Sequence, residues 1–251
     1  MSACLHRSGV PWGARMQSDG GDFRATPDGL CIPQNRTARL LSRPACMPEQ
    51  IGVLLTPGFS MMSFTSVIEA QRIANRVSGR TLYRWHVLSK DGLPVPASNG
   101  IVVSAEASLA EAGRYAHLIV VADNEVRHDD DRAVFAQLRR LARGGMSLGA
   151  INLGTYLLAR AGLLDGYRCT VHWENLSGFV EMFPHLEVTS KLFEVDRDRF
   201  TCSGGIAALD MMLHVIAVQH GTALAKSASE RCPTGLSICA RAALNWAPND
   251  Y

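Results

Sequence analysis

Three runs of almost unbroken apolar residues constrain this chain most: Ile51-Gly52-Val53-Leu54-Leu55, His117-Leu118-Ile119-Val120-Val121 and Ser147-Leu148-Gly149-Ala150-Ile151. A strand with one face in water alternates polar and apolar side chains; a strand covered on both faces does not. Helix-like stretches separate the runs, so the strands belong to a mostly parallel sheet with helices on both faces. The first helix spans 61–77, opened by Ser60 or Ser63 and ended before Ser78-Gly79. A charged amphipathic helix spans Asp129 to Arg143, with Val134, Phe135, Leu138 and Leu141 on one face. A third helix, Thr155 to Ala161, follows the third run. Further strands are expected at Tyr83–Leu88, Ile101–Val103, Cys169–Val171, Leu186–Glu194 and Arg199–Cys202. A helix over 174–182 stops at Pro184, and a long one from Ile206 to His220 is ended by Gly221.

Composition narrows the classes that remain. With 251 residues and 47% hydrophobic content, the chain forms one domain with tails. A net charge of +2 gives no basic surface for nonspecific nucleic-acid or membrane attraction. No apolar run approaches the roughly 18–20 residues of a membrane span, and Met1–Gly20 lacks the apolar core of a secretory signal. Seven scattered cysteines, an odd number without a Cys-x-x-Cys pair, point to free thiols in a reducing, cytoplasmic setting. They form neither a disulfide framework nor a zinc site, and no metal or other cofactor is implied. His214 and His220 have no metal-binding spacing either. Residues 1–48, rich in Gly, Pro, Ser and Arg, read as a disordered leader, and Met47 is an alternative start. Residues 49–228 carry the α/β pattern, and 229–251, interrupted by Pro233, Gly235 and Pro248, read as an irregular tail.

The candidate site sits where the third run ends. Asn152-Leu153-Gly154 joins a buried strand to a helix, the context in which many α/β enzymes display a nucleophilic Ser or Cys on a sharp bend. Asn has neither a thiol nor an activatable hydroxyl. It does accept left-handed backbone geometry better than most residues, so it either touches a ligand or simply suits the turn.

The chain resembles the DJ-1/PfpI superfamily over about residues 50–230. The resemblance rests on Thr56-Pro57-Gly58-Phe59-Ser60, Ile68-Glu69-Ala70, Ile73-Ala74-Asn75, Leu157 through Gly166, Thr170-Val171-His172-Trp173 and Cys202 through Asp210. Within the superfamily it is similar to the amidotransferase-like sensor domain of AraC-family transcriptional regulators. This implies an α/β, flavodoxin-like, mostly parallel sheet sandwiched by helices. It also implies a ligand-sensing domain in a regulator of amino-acid or quaternary-amine metabolism, acting as a homodimer and without enzymatic activity. In catalytic members an elbow cysteine stands where Asn152 does, activated by an acid from the first strand–helix turn. Here that turn, Phe59 to Phe64, has no carboxylate, and Glu69 lies further along the helix. DNA would be bound only through a further domain with two helix-turn-helix units. The stretch from Cys232 to Tyr251 is too short for these, since each needs roughly 20 residues of paired helices. The expectation is therefore a sensor truncated before its DNA-binding domain.

The implied pocket holds Asn152, Leu153, Asp123, His172 and Trp173. Asp123 follows the His117–Val121 strand, and ligands of open α/β sheets bind at strand C-termini. It can pair with a cationic or amino-acid-derived metabolite, unless it is only a solvated loop charge. Trp173 offers an aromatic face to a cation, with core packing as the alternative. His172 either hydrogen-bonds the ligand or serves the backbone. The N–H groups of Ser203-Gly204-Gly205 can hold a carboxylate or can simply allow close packing. A second reading is a DJ-1/PfpI-type cysteine hydrolase, hydratase or amidase, which would have to use Cys169 or Cys202. A third is a dimerisation module that titrates full-length paralogues.

Overall fold

The computed structural model describes residues 48–113, 115–123, 126 and 131–232, together with the backbone of two short strands before them. These two, β1 (Phe23–Ala25) and β2 (Cys31–Pro33), form an antiparallel ribbon inside the stretch expected to be unstructured. The rest of the leader, Asp129-Asp130 and residues 233–251 lie outside the described residues.

In chain order the domain runs β3 (Glu49–Leu55), α1 (Met61–Ser78), β4 (Tyr83–Ser89), β5 (Val95–Pro96), β6 (Val102–Val103), β7 (Ala107–Ser108) and β8 (His117–Ala122). It continues with α2 (Arg132–Arg143), β9 (Ser147–Asn152), α3 (Gly154–Arg160), β10 (Arg168–Cys169), α4 (Leu176–Met182) and β11 (Glu187–Val188). It ends with β12 (Phe193–Asp196), β13 (Arg199–Cys202), α5 (Ala207–His220) and α6 (Thr222–Ser229). Seven strands form the central sheet in the order β12-β13-β9-β8-β3-β4-β7. Only the edge pair β12–β13 is antiparallel. This is the mostly parallel, helix-covered α/β sheet that the apolar runs require.

Side-chain alternation divides two cores. Ile51, Val53 and Leu55 of β3, Ile119 and Val121 of β8, and Ile151 of β9 pack with α1, α5 and α6. Leu54, Leu118, Val120, Leu148 and Ala150 point the other way, into the layer of α2, α3 and α4. The runs are apolar throughout because both faces are covered. At Gly149 the Phe200 ring takes the side-chain space: a Cβ there would lie 2.0 Å from Phe200 Cε2. Asn75, one of the resemblance residues, turns its carboxamide onto the next strand. Its Oδ1 accepts from Leu82 N–H and Tyr83 N–H, and its Nδ2 donates to Tyr83 O.

Several boundaries differ from expectation. The charged helix begins at Arg132, because Asp131 caps it by accepting from Ala133 N–H and Val134 N–H. The expected strand 186–194 is two elements: β11 pairs with β10, and β12 joins the main sheet. The helix over 174–182 opens with a tight 3-10 turn, Trp173–Asn175. The long helix stops at Gly221 as expected, but α6 follows at once, the glycine taking a φ of 91° that suits a reversal between helices. No helix among the described residues is long and apolar enough to cross a membrane.

Candidate functional site

Asn152 is the last residue of β9, and its φ is 60°. Only Arg197 shares a positive φ among the described non-glycine residues. The bend therefore carries left-handed strain at an interior strand terminus, and Asn is among the few side chains that tolerate it. The residue is 7% exposed. Its Cβ and Cγ lie 3.0 and 3.3 Å from the point a Cβ on Gly204 would occupy, so glycine there makes room for the carboxamide. Among the described residues no hydrogen bond engages that carboxamide.

The surrounding backbone is tied down. Leu153 N–H donates to Ala122 O (3.3 Å), Gly205 N–H to Ser63 Oγ (2.8 Å) and Gly204 N–H to Cys202 Sγ (3.4 Å). Thr155 Oγ1 donates to Thr170 O at 3.0 Å and lies 3.4 Å from Asn152 O, linking the elbow to the segment that leads to His172.

Two expected site residues come together through strand register. Ala122 of β8 pairs with Asn152 of β9, so Asp123, half-buried, follows directly beside the elbow. His172 caps the 3-10 turn: its Nδ1 accepts from Glu174 N–H at 3.4 Å, which leaves the proton of the neutral ring on Nε2. The Glu174 carboxylate, 3.8 Å from Nδ1, is too far for a hydrogen bond. Trp173 is 73% exposed with its ring tilted beside His172 at 5.7 Å, so it is not a core residue. Leu153 departs from expectation. It is fully buried in the α2–α4 core and presents no surface to a ligand. Sequence reasoning assigned Ser63 only a possible capping role; Ser60 is the cap, and Ser63 is buried against the 203–205 loop. A small polar residue one turn inside an apolar helix face was the available signal.

Cys169 and Cys202 are both fully buried. Burial, with Glu194 and Glu187 nearby, pushes the Cys169 thiol up to about 12. Burial pushes Cys202 up to about 12 as well, against the small lowering effect of the Gly204 N–H. Among the described residues no cluster of three His, Cys, Asp or Glu side chains is arranged to hold a metal. A groove of about 400 Å³ opens at the opposite end of the sheet from the elbow, beside Arg139, Arg143, Tyr167 and Arg199. There Arg139 donates to Ala161 O, while Arg199 donates to Leu163 O and pairs with Asp198, so these guanidiniums fasten the turn that follows α3.

An open, mostly parallel α/β sheet with a strained elbow at the C-terminal end of a central strand defines the class. The chain belongs to the DJ-1/PfpI family, whose model matches residues 49–218. It is 43% identical over 198 residues to the HTH-type transcriptional regulator GbdR of Pseudomonas aeruginosa, covering 79% of this chain and 51% of that protein. It is 47% identical over 189 residues to the HTH-type transcriptional regulator CdhR of the same organism, covering 75% of this chain and 56% of that protein. The chain thus spans about half the length of these relatives. A crystal structure of an AraC family transcriptional regulator from Pseudomonas putida matches with a TM-score of 0.68 at 29% identity, over 73% of this chain and 98% of that one.

Proposed function

We propose that the domain is a non-catalytic sensor of a small cationic or amino-acid-derived metabolite, working in the cytoplasm as a homodimer within a transcriptional regulator. The observation that carries this reading is the pairing of Ala122 with Asn152, which sets a carboxylate beside an elbow without a nucleophile. Asp123 attracts the cation, Asn152 and His172 supply hydrogen bonds, and Trp173 offers a ring face. The relatives named as regulators support the assignment to transcription. DNA contact belongs to a helix-turn-helix domain, and ligand binding acts by favouring one dimer arrangement over another.

Thermal shift against arginine, carnitine and glycine betaine tests the sensing role. A ligand at about a hundred times its Kd adds roughly 2.7 kcal/mol of apparent stability, a rise of about 5–10 °C for a domain of this size. Asp123→Asn is expected to raise the Kd of the responding ligand at least about tenfold, by removing a charge-assisted contact. No shift with any of the three, or an unchanged Kd in the variant, counts against the acidic pocket.

Thiol chemistry tests the absence of catalysis. With iodoacetamide near neutral pH, Cys169 and Cys202 are expected to resist labelling until the domain unfolds, because they are buried and held as thiols. Fast labelling of either one in the folded protein, together with turnover that Cys→Ser abolishes, would restore the hydrolase reading.

A further inference from the structure

The groove at the lower end of the sheet gathers more positive charge than the fold consumes. Its volume of about 400 Å³ is that of a small-molecule pocket. Arg139 and Arg143 stand four residues apart on α2 and share one side of the helix, where like charges repel. Two acids border the groove. Asp198 is committed: its Oδ1 accepts from Tyr167 OH at 2.9 Å and its Oδ2 pairs with Arg199 at 3.0 Å. Asp165, beside Gly162, is exposed and lies 3.4 Å from His185. Arg143 makes no hydrogen bond or ion pair among the described residues. The end of α2 does not need it, because Arg140 O, Leu141 O and Ala142 O accept from Gly144, Met146 and Gly145 N–H. Arg139 gives one N–H to Ala161 O at 3.2 Å, which anchors its guanidinium in the groove wall with its other donors free among the described residues.

The second observation is backbone strain at the groove's edge. Arg197, in the turn between β12 and β13, has a φ of 57°, a left-handed value uncommon for a residue other than glycine, asparagine or aspartate. Such strain persists where the surroundings hold it. Here Asp196 and Gly166 O hold the Arg197 guanidinium, which lies 3.7 Å from the centroid of the Tyr167 ring, with that of Arg199 at 5.0 Å. The aromatic wall of the groove is therefore fixed before any ligand arrives, which lowers the ordering cost of binding.

Two guanidiniums without a counter-charge call for a dianion with several acceptor oxygens. A phosphate monoester carries a charge of about −1.5 to −2 near neutral pH, and guanidinium forks match its oxygens. Ala142, Ala161 and Leu163 line the rest of the groove and suit a small organic body. The geometry points to a second binding site, between α2 and the turn after α3, for the phosphate group of a small phosphorylated molecule. It lies at the opposite end of β9 from Asn152, so its ligand does not compete with a metabolite at the elbow.

Calorimetry on the full chain at low salt tests this with glycerol 3-phosphate and dimethyl phosphate, a dianion and a monoanion. The monoester is expected to bind saturably, and at least about tenfold more tightly than the diester. Arg143→Gln should weaken it about tenfold, the worth of a hydrogen bond to a charged group, with an unchanged melting temperature because Arg143 holds nothing in the fold. Arg140→Gln is the control. It removes the same charge from α2, but this guanidinium is turned to Gln137 and Ala110 O, so binding should stay as in the parent. No saturable binding of glycerol 3-phosphate overturns the site. Equal binding of the diester, or equal losses in the two variants, would reduce the groove to unspecific charge attraction and overturn it too. A short DNA duplex that binds through Arg143 while the monoester does not would replace it with a nucleic-acid surface.

Discussion

Gly154→Ala is expected to destabilise the domain by about 2–3 kcal/mol, the upper part of the range for forcing atoms into a filled space. The melting temperature should fall by roughly 5–10 °C. Propensity alone predicts the opposite sign. Gly154 is the first residue of α3, and alanine in place of glycine in a helix is normally a gain of up to about 1 kcal/mol. The obstacle is backbone: a Cβ here would lie 2.5 Å from Val120 O and 3.2 Å from Val120 C. Val120 sits in the middle of β8, paired to β3 on one side and β9 on the other, so its carbonyl cannot yield without disturbing three strands. The helix must move away instead, and Asn152 and Leu153 immediately before it move too. Ligand binding at the elbow should therefore weaken along with stability. A melting curve that rises with Gly154→Ala would mean that the approach of α3 to β8 is looser than this geometry. Gly79→Ala is the control. It has positive φ but nothing within 4 Å of an added Cβ, so it should cost only the left-handed strain, about 1–2 kcal/mol.

The same residues mark what could be read from sequence. The buried strands were legible because covering both faces removes the polar alternation, and Gly149 and Gly154 stood out inside and just after one of them. The bend at Asn152 was legible because few residues accept its φ. Strand order was not legible: nothing in the one-dimensional pattern says that β9 lies between β8 and β13. Yet that order is what puts Asp123 next to Asn152. Leu153 was misplaced for a related reason. Adjacency to the elbow suggested a pocket position, but at the start of a helix the chain turns inward, and this side chain enters the core. Trp173 resisted prediction because an aromatic after a short strand fits core and rim equally well. Its exposure depends on the 3-10 turn, which is fixed by the His172 ring accepting Glu174 N–H. Ser63 and Thr155 act through contacts with segments far away in sequence, and no local pattern encodes those.

Glu49→Gln is expected to lower stability by about 1–2 kcal/mol near neutral pH, the value of a hydrogen bond to a charged group with part of its geometry retained. The difference should vanish in acid. Glu49, His117 and Tyr83 are the first residues of β3, β8 and β4, and Gln219 lies at the end of α5, so their contacts bind the last helix to the lower edge of the sheet. Glu49 Oε2 lies 3.2 Å from His117 Nε2 and accepts from Gln219 Nε2 at 3.1 Å, while Tyr83 OH donates to Gln219 Oε1 at 2.6 Å. Burial alone would raise the carboxyl of Glu49. The hydrogen bonds from His117 and Gln219, with the nearby charges of His117 and His220, outweigh it and hold the group below its ordinary value of 4.5. A carboxyl that is more acidic when folded adds stability that is fully present above that ordinary value, and lost as pH falls through the folded one. Urea midpoints of the parent and Glu49→Gln should thus be well separated near pH 7 and converge as the pH drops below 4.5. Every other carboxyl is common to both proteins and cancels in the comparison. A gap that stays constant through the acid range would mean that shape at this position matters and its charge does not, and the lower edge of the sheet would then be held by Tyr83 and Gln219 alone.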